Sequence, residues 1–202
     1  SKDRINLSFA LRNFLCTVSL KDYIRSGFFE KDIIKLSKML AKSKRYSEVE
    51  AYNYVYKLTD VEQFGAITFV MPDKTKFISF LGTDDELVAW FEDFNMVHQF
   101  PVPAQKDAIK YLNKNISLFD KKVYVGGHSK GGNLALVATM YCNPLKRMKV
   151  KQIISLDGPG LRYKEINSKK FKRVEDRYEH IIPNYSIIGL LLRNNGKHTV
   201  VK

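Results

Sequence analysis

The pentapeptide Gly127-His128-Ser129-Lys130-Gly131 is the part of this sequence that most directly suggests chemistry. It is a G-x-S-x-G motif that follows an apolar run from Val123 and precedes another apolar run from Leu134. A strand, a sharp turn and a helix in this order form the nucleophile elbow of serine hydrolases. Glycine at 127 and 131 leaves room for a crowded backbone, and the turn exposes the serine hydroxyl. The motif therefore predicts Ser129 as a nucleophile.

A purely structural turn is the alternative, with Ser129 acting only as the N-cap of the following helix. In either case the helix begins at Lys130, whose backbone N–H lies at the positive end of the helix dipole. Such an N–H stabilises the oxyanion of an acyl-transfer reaction, so Lys130 is a predicted oxyanion donor. His128 lies inside the elbow, where we expect it to pack and hydrogen-bond rather than to act as a base.

The predicted acid follows the next strand. The run Val150–Leu156 is strand-like and ends at Asp157-Gly158-Pro159-Gly160. An acid at the carboxyl end of a strand is well placed to orient a histidine. Hydrolases with a nucleophile elbow have the serine before the acid in the chain, as here. In the alternative interpretation, Asp157 only caps its own loop as an Asx turn. Glu179 and Asp176 are secondary candidates for the acid.

The base is the least determined member of the predicted triad. The chain has four histidines, and His98 precedes the nucleophile, which is the wrong order. Chain order favours His198, at the start of a predicted final strand, or His180, which opens an apolar segment. We take His198 as the base if it lies within this chain. No H-E-x-x-H motif or similar cluster is present, so we expect neither a metal nor a cofactor.

A second oxyanion donor is predicted after an early β-hairpin. The runs 65–70 and 75–81 are strand-like, with a Pro-Asp turn between them. Thr83 follows the second strand, where serine hydrolases of this kind place the second oxyanion N–H. Alternatively, Thr83 or Asp84 only caps a helix predicted around residues 87–94.

Apolar residues recur at helical spacing in several other segments of the sequence. Apolar spacing predicts helices over residues 7–18, 33–40 and 104–118. Ser47 and Glu50 resemble a capping box, which predicts another helix from Ser47 to about Leu58. The sequence thus predicts one α/β domain over residues 1–202: a helical part over 1–60 and a core over 61–202 with a mostly parallel sheet flanked by helices.

The composition indicates the cellular compartment in which the protein is expected. The chain has 202 residues, long enough for one domain with a hydrophobic core. Its two cysteines, Cys16 and Cys142, lie far apart, which indicates a reducing compartment rather than a disulfide framework. No apolar run approaches membrane-spanning length, and we recognise no signal peptide. We therefore expect a cytoplasmic protein.

The strong basic charge does not by itself identify a partner. The formal net charge is +13, from 34 Lys and Arg against 21 Asp and Glu, and the basic residues are spread along the chain. Such spreading is typical of a solvated face. No zinc-finger, RNP or helix-turn-helix signature is present, so nucleic acid is not an expected partner. An anionic membrane surface is compatible with the charge.

Three ordered motifs together resemble a known family: Gly126–Ala135, Ile78–Asp85 and Asp157–Gly160. They are similar to a bacterial family of lipase-like α/β-hydrolase proteins of unknown function, related to the fungal-type class 3 lipases, over residues 60–202. The resemblance implies Ser129 as nucleophile and Thr83 as oxyanion residue. The class 3 lipases have arginine where this chain has Leu81.

The same resemblance also bears on the acid and the base. In class 3 lipases the acid falls in a segment that aligns with His180–Pro183, which holds no acidic residue, so Asp157 is preferred. The family pattern continues past the final strand to a loop that carries a histidine. This sequence stops at Lys202, before such a loop, so we expect the family base to lie outside it and the core to lack its C-terminal end.

A serine hydrolase of the lipase or esterase type is the function that these motifs favour. Ser129 would attack an acyl ester while the N–H groups of Thr83 and Lys130 hold the oxyanion. The alternative is a catalytically inactive binding module that retains the elbow only as architecture, because fold does not imply function. A base within hydrogen-bond distance of the Ser129 hydroxyl would distinguish the two.

Overall fold

A single eight-stranded sheet runs through the protein, whose structure is a computed structural model describing residues 4–17, 30–83, 96, 98–195 and 197–202. The strands lie side by side in the order of the chain. Their bounds are β1 Ile5–Asn6, β2 Glu50–Thr59, β3 Glu62–Val70, β4 Lys76–Phe80, β5 Val123–His128, β6 Val150–Leu156, β7 Tyr178–Pro183 and β8 Lys197–Val201.

Helices connect and cover these strands. The α-helices of the described residues are α1 Leu7–Thr17, α2 Glu30–Lys42, α3 Pro103–Asn115, α4 Lys130–Tyr141, α5 Pro144–Arg147, α6 Tyr163–Ile166 and α7 Lys169–Lys172. Short 3-10 turns occupy Lys44–Tyr46, Glu175–Arg177 and Ile188–Leu190. None of the helices that the structure describes has the length and apolar content needed to span a bilayer.

The sheet is antiparallel from β1 to β4 and parallel from β4 to β8. The tight turn between β3 and β4 lets these two strands pair as a hairpin, whereas parallel pairs need longer crossovers. In the parallel part, His128 pairs with Leu156, and Leu156 pairs with Ile181. The carboxyl ends of β5, β6 and β7 therefore meet at one edge, and the segments that follow these strands lie next to one another.

The helix after the elbow lies at the centre of the core. Of the twelve residues of α4, only Tyr141 is not buried. Helix α3 packs beside it and contributes Ala104, Ala108 and Leu112, spaced so that they share one face. A helix enclosed in this way fixes the position of the residue before it, which is Ser129.

The predicted helices 7–18 and 33–40 are confirmed as α1 and α2, but the predicted helix from Ser47 to Leu58 is wrong. This segment forms β2, which pairs with β3 along most of its length. Its tyrosines and Val55 are typical of strands, and pairing with a distant segment outweighs a local capping pattern. The Ser47 hydroxyl donates instead to the Lys44 carbonyl.

The remaining predictions of elements are largely confirmed. The hairpin is β3 and β4, the elbow strand and helix are β5 and α4, and the strand before Asp157 is β6. The helix predicted over 104–118 is α3, which ends earlier because Ile116 is extended. The helix predicted around residues 87–94 lies outside the described residues. The mostly parallel mixed sheet flanked by helices is the predicted fold class.

Candidate active site

Ser129 stands at a strained turn between β5 and α4. Its backbone has φ 52° and ψ −129°, and positive φ is unfavourable for a residue with a Cβ atom. Its N–H donates to the Leu156 carbonyl at 2.8 Å, which ties the turn to the end of β6. Although Ser129 occupies the N-cap position, its side chain makes no capping hydrogen bond. This geometry favours the nucleophile elbow over the simple helix cap.

Space, rather than an unusual backbone angle, requires glycine on both sides of Ser129. A Cβ atom on Gly127 would lie 2.5 Å from the Gly131 carbonyl carbon and 2.6 Å from the Phe80 oxygen. A Cβ atom on Gly131 would overlap that same Phe80 oxygen. The end of β4 thus packs directly against the elbow.

The segment after β4 lies against the nucleophile. A Cβ atom on Gly82 would be 2.6 Å from the His128 oxygen and 3.4 Å from the Ser129 Cβ. Thr83, the predicted oxyanion residue, is the next residue in the chain. The structure therefore brings the Gly82–Thr83 segment, Ser129 and Lys130 together.

Lys130 has a role that the sequence did not predict. Its side chain is fully buried, and Nζ donates to the Gln63 carbonyl at 2.9 Å and to Gln63 Oε1 at 2.7 Å. Gln63 Nε2 in turn donates to the Gly82 carbonyl at 3.3 Å. A series of hydrogen bonds thus connects the elbow to the Gly82–Thr83 segment, which is called the oxyanion segment below because Thr83 is a predicted oxyanion donor. A polar Glu-Gln pair at the start of an otherwise apolar strand was the available signal.

Asp157 occupies the turn after β6 and faces a loop from later in the chain. Its φ is 53°, and its N–H donates to the Ile181 carbonyl at 2.8 Å. Oδ1 accepts from the Gly189 N–H at 3.1 Å and from the Ser186 hydroxyl. These partners lie far along the chain, which argues against a local Asx turn.

The Asp157 turn also touches the elbow. A Cβ atom on Gly158 would lie 2.8 Å from the Ser129 carbonyl oxygen. Asn133, on the first turns of α4, donates through Nδ2 to the Pro159 and Gly160 carbonyls at 3.2 and 2.8 Å. Its Oδ1 accepts from Gln105 at 2.8 Å. Sequence reasoning missed this role of Asn133, although a buried amide inside an apolar helix is unusual.

The predicted base does not reach the nucleophile. His198 Nδ1 lies 3.2 Å from His180 Nδ1, and its Nε2 lies 3.2 Å from the Asn194 carbonyl. His180 Nε2 lies 3.0 Å from the Gly158 carbonyl. Within the part of the chain that the structure describes, no histidine hydrogen-bonds to the Ser129 hydroxyl. The expected contacts of His198 with Asp157 and Ser129 are therefore not formed.

The secondary acids lie away from this edge. Glu179 lies inside β7 and accepts a hydrogen bond from Gln152. Asp176 lies shortly before the first residue of β7, at the end of the strand away from the carboxyl edge. Its side chain is 79% exposed and lies beside Arg177. Among the acids considered, only Asp157 lies at the carboxyl edge next to Ser129.

A cavity opens beside the oxyanion segment. Its volume is about 370 Å³. Five of its nine lining residues are apolar or aromatic, and the others are Ser79 of β4, two residues of the oxyanion segment and His128 of the elbow. It is lined by Tyr54, Ala66, Ile67, Ser79, Phe80, Leu81, Gly82, Thr83 and His128. A small apolar group bound here would lie beside the segment predicted to hold an oxyanion.

Comparison with protein-family models assigns this chain to a family. Residues 40–202, which include β2 to β8 and the whole elbow, match the family model described as Mbeg1-like. The chain belongs to the Mbeg1-like family. By sequence, no curated protein matches this Mbeg1-like chain.

Solved structures include a lipase with the same fold. A fungal lipase–inhibitor complex, described as a model for interfacial activation in lipases, superposes with a TM-score of 0.55. The match covers 91% of the Mbeg1-like chain and 70% of the lipase chain, at 14% identity. The Mbeg1-like chain therefore has a lipase-type α/β-hydrolase fold.

Proposed function

We propose that this chain is a serine hydrolase of the lipase or esterase type, with Ser129 as the nucleophile. The observation that carries the proposal is the strained Ser129, whose side chain does not cap α4. Strain of this kind is retained where the surrounding structure enforces it, often at functional sites. The oxyanion segment and the Asp157 turn both pack against this residue.

The proposed reaction is acyl transfer to Ser129 followed by hydrolysis. Ser129 Oγ bonds to the ester carbonyl carbon while its proton passes to the base. The N–H groups of Thr83 and Lys130 hold the resulting oxyanion. The ester C–O bond then breaks, and the alcohol leaves with the proton from the base. Water releases the acyl group by the same steps in reverse.

The base in this proposal is a histidine that follows β8. Strand β8 is parallel to β7, and its Val201 pairs with Pro183 at the carboxyl edge. A loop after β8 would therefore reach the edge where Ser129 and Asp157 lie. Asp157 would orient that histidine, because its carboxylate is already held by Gly189 and Ser186.

The acyl part of the substrate is proposed to occupy the cavity beside Gly82 and Thr83. Its lining from β3 and β4 is mainly apolar, so it would take a hydrocarbon chain rather than a charged group. An ester with a short or medium acyl chain is the proposed substrate class.

Covalent labelling with a fluorophosphonate tests the proposal. The reaction joins an activated serine oxygen to phosphorus and expels fluoride, so it reports nucleophilic activation without knowledge of the substrate. We expect a chain that includes the proposed base after β8 to be labelled, and we expect Ser129→Ala in that chain to abolish labelling. Because the proposed base follows β8, chain 1–202 should be labelled much more slowly.

Each other outcome has a definite meaning. Equal labelling of chain 1–202 would contradict the proposed position of the base and would favour His198 or His180. If no folded form is labelled, the hydrolase proposal fails and an inactive binding module takes its place. The lack of a hydrogen bond between Ser129 and any described histidine is the observation that favours this second candidate.

Narrowing the cavity should change the preference for acyl-chain length. In Ile67→Trp the larger side chain would fill part of the space beside Thr83. We expect hydrolysis of an octanoyl ester to fall at least about tenfold relative to an acetyl ester, since one methylene in an apolar pocket is worth about 1–3 kcal/mol. The ratio of the two kcat/KM values measures this effect. Val61→Trp, at a position that is 69% exposed, is the control and should leave the ratio unchanged.

A further inference from the structure

Two histidines of neighbouring strands lie in contact below the Asp157 turn. His180 of β7 pairs in register with His198 of β8, and their rings meet edge to face with centroids 5.3 Å apart. His180 is fully buried, whereas His198 is exposed. The ring nitrogens make three contacts: with the Gly158 carbonyl, with each other, and with the Asn194 carbonyl.

Counting protons shows that these three contacts need a charge. A carbonyl oxygen only accepts, so His180 Nε2 and His198 Nε2 must each carry a hydrogen. The contact between the two Nδ1 atoms needs one more hydrogen, on either ring. Three hydrogens are therefore required, but two neutral imidazoles carry only two. All three hydrogen bonds form together only when the pair holds one extra proton.

We propose that His180 and His198 share one excess proton and act together as a positioning pair for the segments around Asp157. His180 Nε2–H holds the Gly158 carbonyl, next to the acid. His198 Nε2–H holds the Asn194 carbonyl, and the Asn194 amide donates to the Gly189 carbonyl at 3.1 Å. Gly189 N–H in turn donates to Asp157. The pair therefore holds both the turn that carries the acid and the loop that binds it.

The surroundings of His180 act on its protonation in both directions. Burial lowers the pKa of His180 from its ordinary value, while the Gly158 carbonyl and the nearby Asp157 carboxylate act in the opposite direction. Tyr178 stacks on His180, and its phenol, whose pKa is raised by burial, donates to Asn194 Oδ1. Apart from His198, Asp157 and Tyr178 are the titratable groups that face His180 among the described side chains. The exposed ring of His198 provides the route to solvent.

Loss of the proton should release one contact in particular. The buried bond from His180 to Gly158 can remain, and His198 Nδ1–H can still donate to His180. His198 Nε2 then carries a lone pair facing the Asn194 oxygen, so that contact becomes repulsive. The neutral pair would remove one of the hydrogen bonds that hold Asn194, while the Asp157 turn stays anchored.

Nitrogen NMR of the histidine rings tests the shared proton directly. With ¹⁵N-labelled histidine, we expect the ring nitrogens of His180 and His198 to lose the shared excess proton in one coupled step. In His198→Leu the coupled step should disappear, and His180 should keep a protonated Nε2 across the range. His98→Gln is the matched control and should leave the step in place. Independent titration of the two rings in the unsubstituted chain would overturn the proposal.

The effect on the acid needs a second readout, and this part rests on the proposed function. The rate of fluorophosphonate labelling should show an inflection at the pH of the coupled NMR step, and His198→Leu should remove that inflection. A labelled protein with no inflection at that pH would refute the positioning role. A protein that is not labelled at any pH would refute the proposed hydrolase, while the NMR titration would still decide whether the proton is shared.

Discussion

Lys130→Met is expected to lower the free energy of unfolding by about 2–5 kcal/mol. The substitution keeps most of the stem but removes the donor to two acceptors on Gln63, both inside the protein. Leaving one buried acceptor without its donor costs about 1–3 kcal/mol. Urea denaturation measures the difference. Lys106→Met, at an exposed position on α3, is the control and should change stability by less than about 0.5 kcal/mol.

The same substitution should also slow the labelling of Ser129 at low temperature, where the variant is still folded. Gln63 connects Lys130 to the Gly82 carbonyl, so loss of Nζ frees the segment that carries Thr83. The double variant Lys130→Met with Gln63→Leu removes acceptor and donor together, and we expect it to recover part of the lost stability. If the double variant recovers stability but not the labelling rate, Lys130 positions the segment that carries Thr83 and does more than stabilise the fold. A cost below about 1 kcal/mol for Lys130→Met would contradict the expected burial effect.

Gly131→Ala is expected to cost at least about 3 kcal/mol, a large part of the stability of a domain. The new methyl group would overlap the Phe80 carbonyl oxygen, with the Leu81 carbonyl carbon at 3.0 Å. These are backbone atoms of the last residue of β4 and of the residue after it, so the clash is relieved only by moving this backbone or α4. Thermal or urea unfolding measures the loss.

Gly65→Ala provides a comparison for this effect. The three atoms nearest to its new Cβ all belong to the Leu81 side chain, which is 44% exposed. A side chain at the surface can shift more easily than a strand, so the cost should be clearly smaller. Equal costs for the two variants would show that the elbow tolerates movement of β4, against the packing argument.

Local patterns predicted the elbow well because its geometry is encoded nearby. Gly127, Ser129 and Gly131 lie within five residues, and the apolar runs on both sides identify the strand and the helix. The strand β2 was mispredicted for the opposite reason. Its partner β3 supplies the ladder, and the capping pattern at Ser47 carries no information about that pairing.

The side-chain partners of the site could not be read from the sequence. The sequence predicts a backbone role for Lys130, but its side chain reaches Gln63, sixty-seven residues away in the chain. His198 was chosen by chain order, whereas register places it opposite His180. Both facts depend on strand order and register, which residue types alone do not determine. Asp157 was placed correctly at the strand end, but its partners Ser186 and Gly189 come from a later loop.

The order of the strands in the sheet has a consequence for assembly during synthesis. From β2 onward, each described strand pairs with the one made just before it, so no described strand must wait for a distant later partner. Short separation in the chain favours rapid pairing. The sheet can therefore grow one strand at a time as the chain leaves the ribosome, and the turn at Ser129 is completed when β6 supplies the Leu156 carbonyl. Protease protection of stalled nascent chains should appear strand by strand; protection of all strands at once would contradict this order.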